Sequence, residues 1–139
     1  MTDRGPHGGV TPHISIPDRR GTEAIGFYAA AFGAREVAKM PSEDGRLMHA
    51  HLVINGDSLL LHDECPEHAG PGHPAGPYNG VTLHLQVNDA DAVWKQALDA
   101  GAVVEMALED QFWGDRYGVL RDPFGHRWSI GAPAVAKQD

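Results

Sequence analysis

Five histidines, His13, His49, His51, His62 and His84, fall in stretches that alternate as β-strands do, and two of them hold the same place in a repeated phrase. Val10-Thr11-Pro12-His13-Ile14-Ser15-Ile16-Pro17-Asp18 is answered about 70 residues later by Val81-Thr82-Leu83-His84-Leu85-Gln86-Val87-Asn88-Asp89, with four of nine positions identical and the histidine and aspartate in register. An imidazole titrates close to neutral pH, so a group of them can ligate a divalent metal, move protons or hydrogen-bond a polar ligand. Because the chemistry-bearing positions repeat, the elements that carry them must repeat too, each copy being one supersecondary unit that buries its apolar face by pairing.

Strand alternation sorts the side chains. His13, Ser15 and Pro17 share one face of their strand while Ile14 and Ile16 share the other, and the second copy places His84, Gln86 and Asn88 opposite Leu85 and Val87. In a third strand Met48, Ala50, Leu52 and Ile54 form the apolar set, which leaves His49 and His51 on the polar face. Leu59 and Leu61 in a fourth strand leave Leu60 and His62 on it, and Trp128 and Ile130 in the last strand leave Arg127 and Ser129. A register slip of one residue would reverse any of these assignments. If the sheets curl around the polar face, the five histidines line one cup.

The elements around these strands repeat in the same order. Each first strand is followed by an amphipathic stretch ending in Gly-Ala, at Gly33-Ala34 and Gly101-Ala102, where glycine can take the left-handed conformation that stops a helix. Thr22 is the expected N-cap of the first helix, with Ile25, Tyr28, Ala29 and Phe32 on one face; Asp89 is that of the second, with Ala90, Val93, Trp94, Ala97 and Leu98. Tight turns follow at Asn55-Gly56 and at Asp122-Pro123-Phe124-Gly125. The expected strands are 10–17, 35–40, 46–54 and 58–63 around a helix at 22–33, then 80–88, 102–107, 115–121 and 126–131 around a helix at 89–100. The fold class is therefore α+β: two tandem βαβββ modules, 10–63 and 80–132, forming a curved mixed-sheet cup with helices outside, within a single domain spanning 1–139.

Residues 64–79 form the connector, since Glu64 to Tyr78 holds four prolines and no apolar periodicity. His68 and His73 in it are expected to be solvated, and the lone Cys65 to be incidental, as it has no internal disulfide partner and no nucleophile motif. The first nine and last six residues read as tails. Eleven Lys and Arg against 19 Asp and Glu give a net charge of −8, which argues for solubility and against a nucleic-acid partner. Neither a secretion signal nor an 18-residue apolar run is present, so no membrane partner and a cytoplasmic location are expected.

Two consecutive strand-helix-strand-strand-strand modules with a histidine in each first strand resemble the vicinal oxygen chelate superfamily, which includes glyoxalase I, extradiol dioxygenases, and the fosfomycin and bleomycin resistance proteins. Phe27-Tyr28-Ala29-Ala30-Ala31-Phe32-Gly33-Ala34 resembles its first helix. Asp110-Gln111-Phe112-Trp113-Gly114-Asp115-Arg116-Tyr117-Gly118, continued by Asp122-Pro123-Phe124-Gly125-His126-Arg127-Trp128, closely resembles its PhnB-like branch. The resemblance covers about residues 10 to 132. It is specific for fold and weakly specific for reaction, because this fold hosts lyases, transferases, oxygenases and non-catalytic binders.

By that resemblance His13 and His84 match two first-strand metal-ligand positions, whereas Leu60 and Ser129 stand where a glutamate is usual. A third ligand would come from His51, His62 or a carboxylate not placed by the sequence. Three readings follow: a glyoxalase-like lyase, isomerase or dioxygenase holding one divalent iron, zinc, nickel or manganese ion, which polarises a substrate oxygen as Lewis acid or, as redox-active iron, allows oxygen insertion; a metal-free protein that sequesters a drug-like or aromatic compound; and metal-free acid–base catalysis by a pocket histidine. All take a small organic molecule, lined by His49, His51, His62, Gln86, Trp113, Tyr117, Arg127 and Ser129. Phe112, Trp113 and Tyr117 either stack on that ligand or pack a module junction, and Arg116 and Arg127 either bind an anionic group or form surface ion pairs. The resemblance also implies a homodimer.

Overall fold

The computed structural model describes residues 5, 6, 8–64 and 78–134. Cys65, His68, His73 and nearly all of the expected connector lie outside the described residues. The chain is α+β and divides between Gly76 and Pro77 into two compact units. Each carries one βαβββ module.

In the first, β1 (His13–Ile16), α1 (Gly21–Phe32), β2 (Arg35–Pro41), β3 (Leu47–Ile54) and β4 (Asp57–Asp63) follow in order, and the sheet runs β1-β4-β3-β2 with β1 parallel to β4. In the second, β5 (Thr82–Gln86), α2 (Ala90–Ala100), β6 (Val103–Asp110), β7 (Asp115–Arg121) and β8 (Arg127–Pro133) give a sheet in the matching order β5-β8-β7-β6. The parallel first-to-last pairing explains why a helix must intervene, since parallel neighbours need a crossover. No helix among the described residues is long and apolar enough to cross a membrane.

Both turns form as expected. Asn55 and Gly56 each take positive φ, as a two-residue hairpin of this kind requires, and Gly125 N–H bonds back to the Asp122 carbonyl. Gly33 ends α1 in the left-handed conformation. Asp89 caps α2, its side chain accepting from Ala92 N–H, and the expected stripe holds the buried Ala90 and Ala97.

Three local expectations fail. The residue before α1 is Arg20 and no side chain caps it, so Thr22 lies inside the helix; the first turn is held instead by the buried Asp63 carboxylate, which accepts from Gly21 N–H at 2.6 Å and Leu47 N–H at 2.7 Å. The buried face of α1 is Ala24, Phe27, Tyr28 and Ala31, one residue out of step with the expected stripe, leaving Ala29 exposed and Ile25 and Phe32 half-buried. Residues 24–32 are apolar nearly all round, so spacing alone does not select the face; the Asp63 anchor at the first turn fixes the rotation. Met48 does not join the apolar set: between the pairs Met40↔His49 and Pro41↔Leu47 it is the extra residue of a bulge, 58% exposed, and Leu47 is buried in its place.

Candidate functional site

Register pairing confirms the polar face of each sheet. In the first, His13 and His51 both pair with Leu60, Ser15 pairs with His62, and Met40 with His49, so these side chains share the face opposite Ile14, Ile16, Leu59, Leu61 and Leu52. His13 Nε2 and His62 Nδ1 are hydrogen-bonded at 2.9 Å, His62 Nε2 lies 3.3 Å from Ser15 Oγ, and the His49 ring meets that of His13 edge-on at 5.9 Å between centroids. Partial burial, then the neighbouring His62 and His49, hold His13 below the ordinary histidine value. Burial also lowers His62, against the opposing pull of Asp63 and Glu64. His51 is buried, with Nε2 2.7 Å from Ser58 Oγ. An open groove of about 710 Å³ adjoins His62 and Met48 along the turn between β2 and β3.

The second sheet presents a different surface. Thr82, His84 and Gln86 of β5 lie opposite Arg127, Ser129 and Gly131 of β8, and these in turn opposite Arg121, Val119 and Tyr117 of β7, giving three successive rows on the face turned away from Leu85, Trp128 and Ile130. His84 Nε2 donates to Gln86 Oε1 at 2.8 Å, and in the neutral imidazole Nδ1 accepts from the Ser129 hydroxyl, 2.7 Å away. The imidazole lies nearly parallel to the Tyr117 ring, centroids 5.9 Å apart. Trp113 then meets Tyr117 edge-on at 5.6 Å and donates from Nε1 to Asp115. Trp113 is 50% and Phe112 97% exposed.

Gly131 makes this arrangement fit. A Cβ there would lie 2.8 Å from His84 Cε1 and 3.1 Å from Gln86 Oε1. On the helix side of the same sheet Gly118 plays the matching part for Trp94, whose ring atoms would be 2.6 Å from its Cβ. Sequence reasoning missed Gly131 and Gly118, although a glycine inside a strand signals close approach. It also missed Glu105, an extra residue in a bulge of β6 that takes hydrogen bonds from both Arg121 and Arg127. Arg116 forms ion pairs with Asp91 and Asp110.

The expected site residues therefore gather within each module: His13, His49 and His62 in the first, with His51 beneath the same face, and His84, Gln86, Ser129, Tyr117 and Trp113 in the second, with Arg127 one row away. The donor set does not suit a resident divalent ion. Both ring nitrogens of His84 are committed to Gln86 and Ser129, the lone pair of one ring in the His13–His62 pair is directed at the other, and Leu60 and Ser129 supply no carboxylate. Among the described residues no three or more His, Cys, Asp or Glu side chains are grouped to hold a metal ion.

Tandem βαβββ modules, each carrying a histidine on the sheet face opposite its helix, define the class of fold, one that hosts many different functions. The profile of the Glyoxalase/Bleomycin resistance protein/Dioxygenase superfamily matches residues 11–130, and the chain belongs to that superfamily. The uncharacterized protein Mb0911c of Mycobacterium bovis is 48% identical over 128 residues, which cover 89% of this chain and 82% of that protein. The crystallised gene product AT5G48480 of Arabidopsis thaliana is 29% identical with a TM-score of 0.68, over 88% of this chain and 97% of its own. The PhnB protein of Bacillus cereus shares the fold at 18% identity, with a TM-score of 0.70 over 90% of this chain and 99% of its own.

Proposed function

We propose that this protein binds a small aromatic compound on the open face of its second module and does so without a metal ion. The observation that carries the reading is the array His84–Tyr117–Trp113: two rings nearly parallel, a third edge-on and half-exposed, with the imidazole fixed at both nitrogens over a glycine. Such a surface offers stacking area and hydrogen bonds in a preset geometry, so little ordering cost falls on binding. His84, Gln86, Tyr117 and Trp113 contact the ligand, and Ser129 fixes the His84 tautomer. The role this supports is sequestration of a drug-like or aromatic molecule. A homodimer is part of the proposal, checked by light scattering.

The test is titration with the neutral fluorescent probe N-phenyl-1-naphthylamine, followed by quenching of tryptophan emission. Trp128 is buried and Trp94 half-buried, so saturable quenching that disappears in W113F and weakens in Y117A is the expected result. No saturable binding overturns the reading. Elemental analysis of protein prepared without chelator tests the metal-dependent alternative: stoichiometric iron, zinc, nickel or manganese that is lost in H13A and H84A would replace the binder with an enzyme holding that ion.

A further inference from the structure

The three rows of the second sheet differ in charge as well as shape. At one end, around Gly131 and Tyr117, stand the aromatic side chains together with Glu109, which pairs with Tyr117, and Asp115. At the other end Arg121 and Arg127 face each other with one carboxylate, Glu105, between them. Arg121 is spent on the fold: besides Glu105 it binds the carbonyls of Tyr78 and Gly125 and the side chain of Asn79. Arg127 is not. It donates from Nε to the shared Glu105 and from Nη1 to Thr82 Oγ1, its side chain is 38% exposed, and its Nη2 has no protein acceptor among the described residues.

From this gradient we infer that the ligand is an elongated aromatic anion, its ring on Tyr117 and His84 and its carboxylate on Arg127 and Thr82. The inference rests on the aromatic reading above and adds the charged end. Two guanidiniums against one carboxylate leave this row a net cation in a chain of charge −8, so an anion is repelled by most of the surface and drawn to one end of this face. Asp115 and Glu109 repel it from the other end, which fixes the direction in which the molecule lies. Successive rows are two residues apart along the strands, about 7 Å, so ring and carboxylate should be separated by roughly 7–13 Å. A guanidinium also suits a carboxylate better than an ammonium does, by offering paired donors in one plane.

The experiment compares 4-(2-naphthyl)butanoate with its neutral primary amide by isothermal titration calorimetry. The expected result is that wild type binds the acid at least tenfold more tightly than the amide, that R127Q binds the two alike, and that E105Q, which frees Arg127 from its competitor, tightens the acid further. Raising salt from 50 to 500 mM should weaken the acid only. Equal binding of acid and amide by wild type, or a preference that survives in R127Q, overturns the anion while leaving the aromatic platform standing. Binding of neither naphthyl compound overturns both. Should R127Q fail to fold, R127K serves: the inference requires it to retain part of the preference, and complete retention of the wild-type ratio would refute the role given to the paired donors.

Discussion

Replacing Gly131 with alanine separates what holds the second module together from what it binds. The new methyl carbon would stand 2.8 Å from His84 Cε1, so the ring must retreat by about 0.6 Å to reach ordinary contact, and Gln86 Oε1 and His84 Nε2, at 3.1 and 3.2 Å, must yield with it. All three atoms belong to ends of exposed side chains, which can swing outward. The fold loses the His84–Gln86 bond, which water replaces at little cost, and the partner of the Ser129 hydroxyl, which is 1% exposed and costs about 1–3 kcal/mol when stranded. Alanine returns about 0.4–1 kcal/mol through the unfolded chain. The net loss is about 1 kcal/mol, a fall in Tm of roughly 3–6 °C for a chain of this size. Binding should suffer more: a displaced imidazole removes the ring that stacks on Tyr117, and a tenfold loss needs only about 1.4 kcal/mol. Thermal melting, probe titration and the ¹⁵N shifts of the His84 ring measure the three effects. If G131A keeps both wild-type affinity and wild-type His84 shifts, the imidazole is not seated over Gly131 and the proposed platform does not exist. G118A is the contrast, since its Cβ meets the Trp94 ring at 2.6 Å and the Leu108 backbone at 2.9 Å; it should cost about 1–3 kcal/mol with His84 undisturbed.

Stability should depend on pH through the first module. His13 and His62 are both held below the ordinary histidine value near 6.5, so the unfolded chain binds more protons than the folded one once the pH drops below about 6.5; stability is full above that and declines on acidification, with a shallower slope in H13A, as urea denaturation across pH 5–8 would show. Removing the Asp63 carboxylate in D63A strands the Gly21 and Leu47 N–H groups and should cost about 2–5 kcal/mol, whereas D63N, which keeps one acceptor, should cost less in the same thermal melt. D89A should lose about 1 kcal/mol as the cap of α2, while T22A, inside α1, should stay within about 0.5 kcal/mol of wild type.

The sequence made the sheet faces legible because alternation has a fixed period and the histidine phrases recur in register. His13, Ser15, His84 and Ser129 all fall where that period puts them. It failed at Met48, where a bulge adds one residue and resets the alternation, and on α1, where an apolar run offers several stripes of equal merit. Asp63 and Glu105 were illegible for another reason. Their roles depend on which strand end or bulge lies beside which backbone, and only long-range pairing determines that. The same holds for the bonds that commit both His84 nitrogens. A histidine at a family's ligand position reads identically whether its lone pair is open or taken.

The two helices begin by different means, and this has a kinetic consequence. Asp89 reaches the amide of Ala92, three residues on, whereas the amide of Gly21 waits for a carboxylate 42 residues further along the chain. Closing the longer loop costs about 2 kcal/mol more in chain entropy. The first turn of α2 is therefore capped as soon as it forms, and α1 gains its anchor only after β4 has docked beside β1. During synthesis from the N-terminus the amide of Gly21 therefore emerges well ahead of the carboxylate that accepts from it, whereas the amide of Ala92 follows its own cap by three residues.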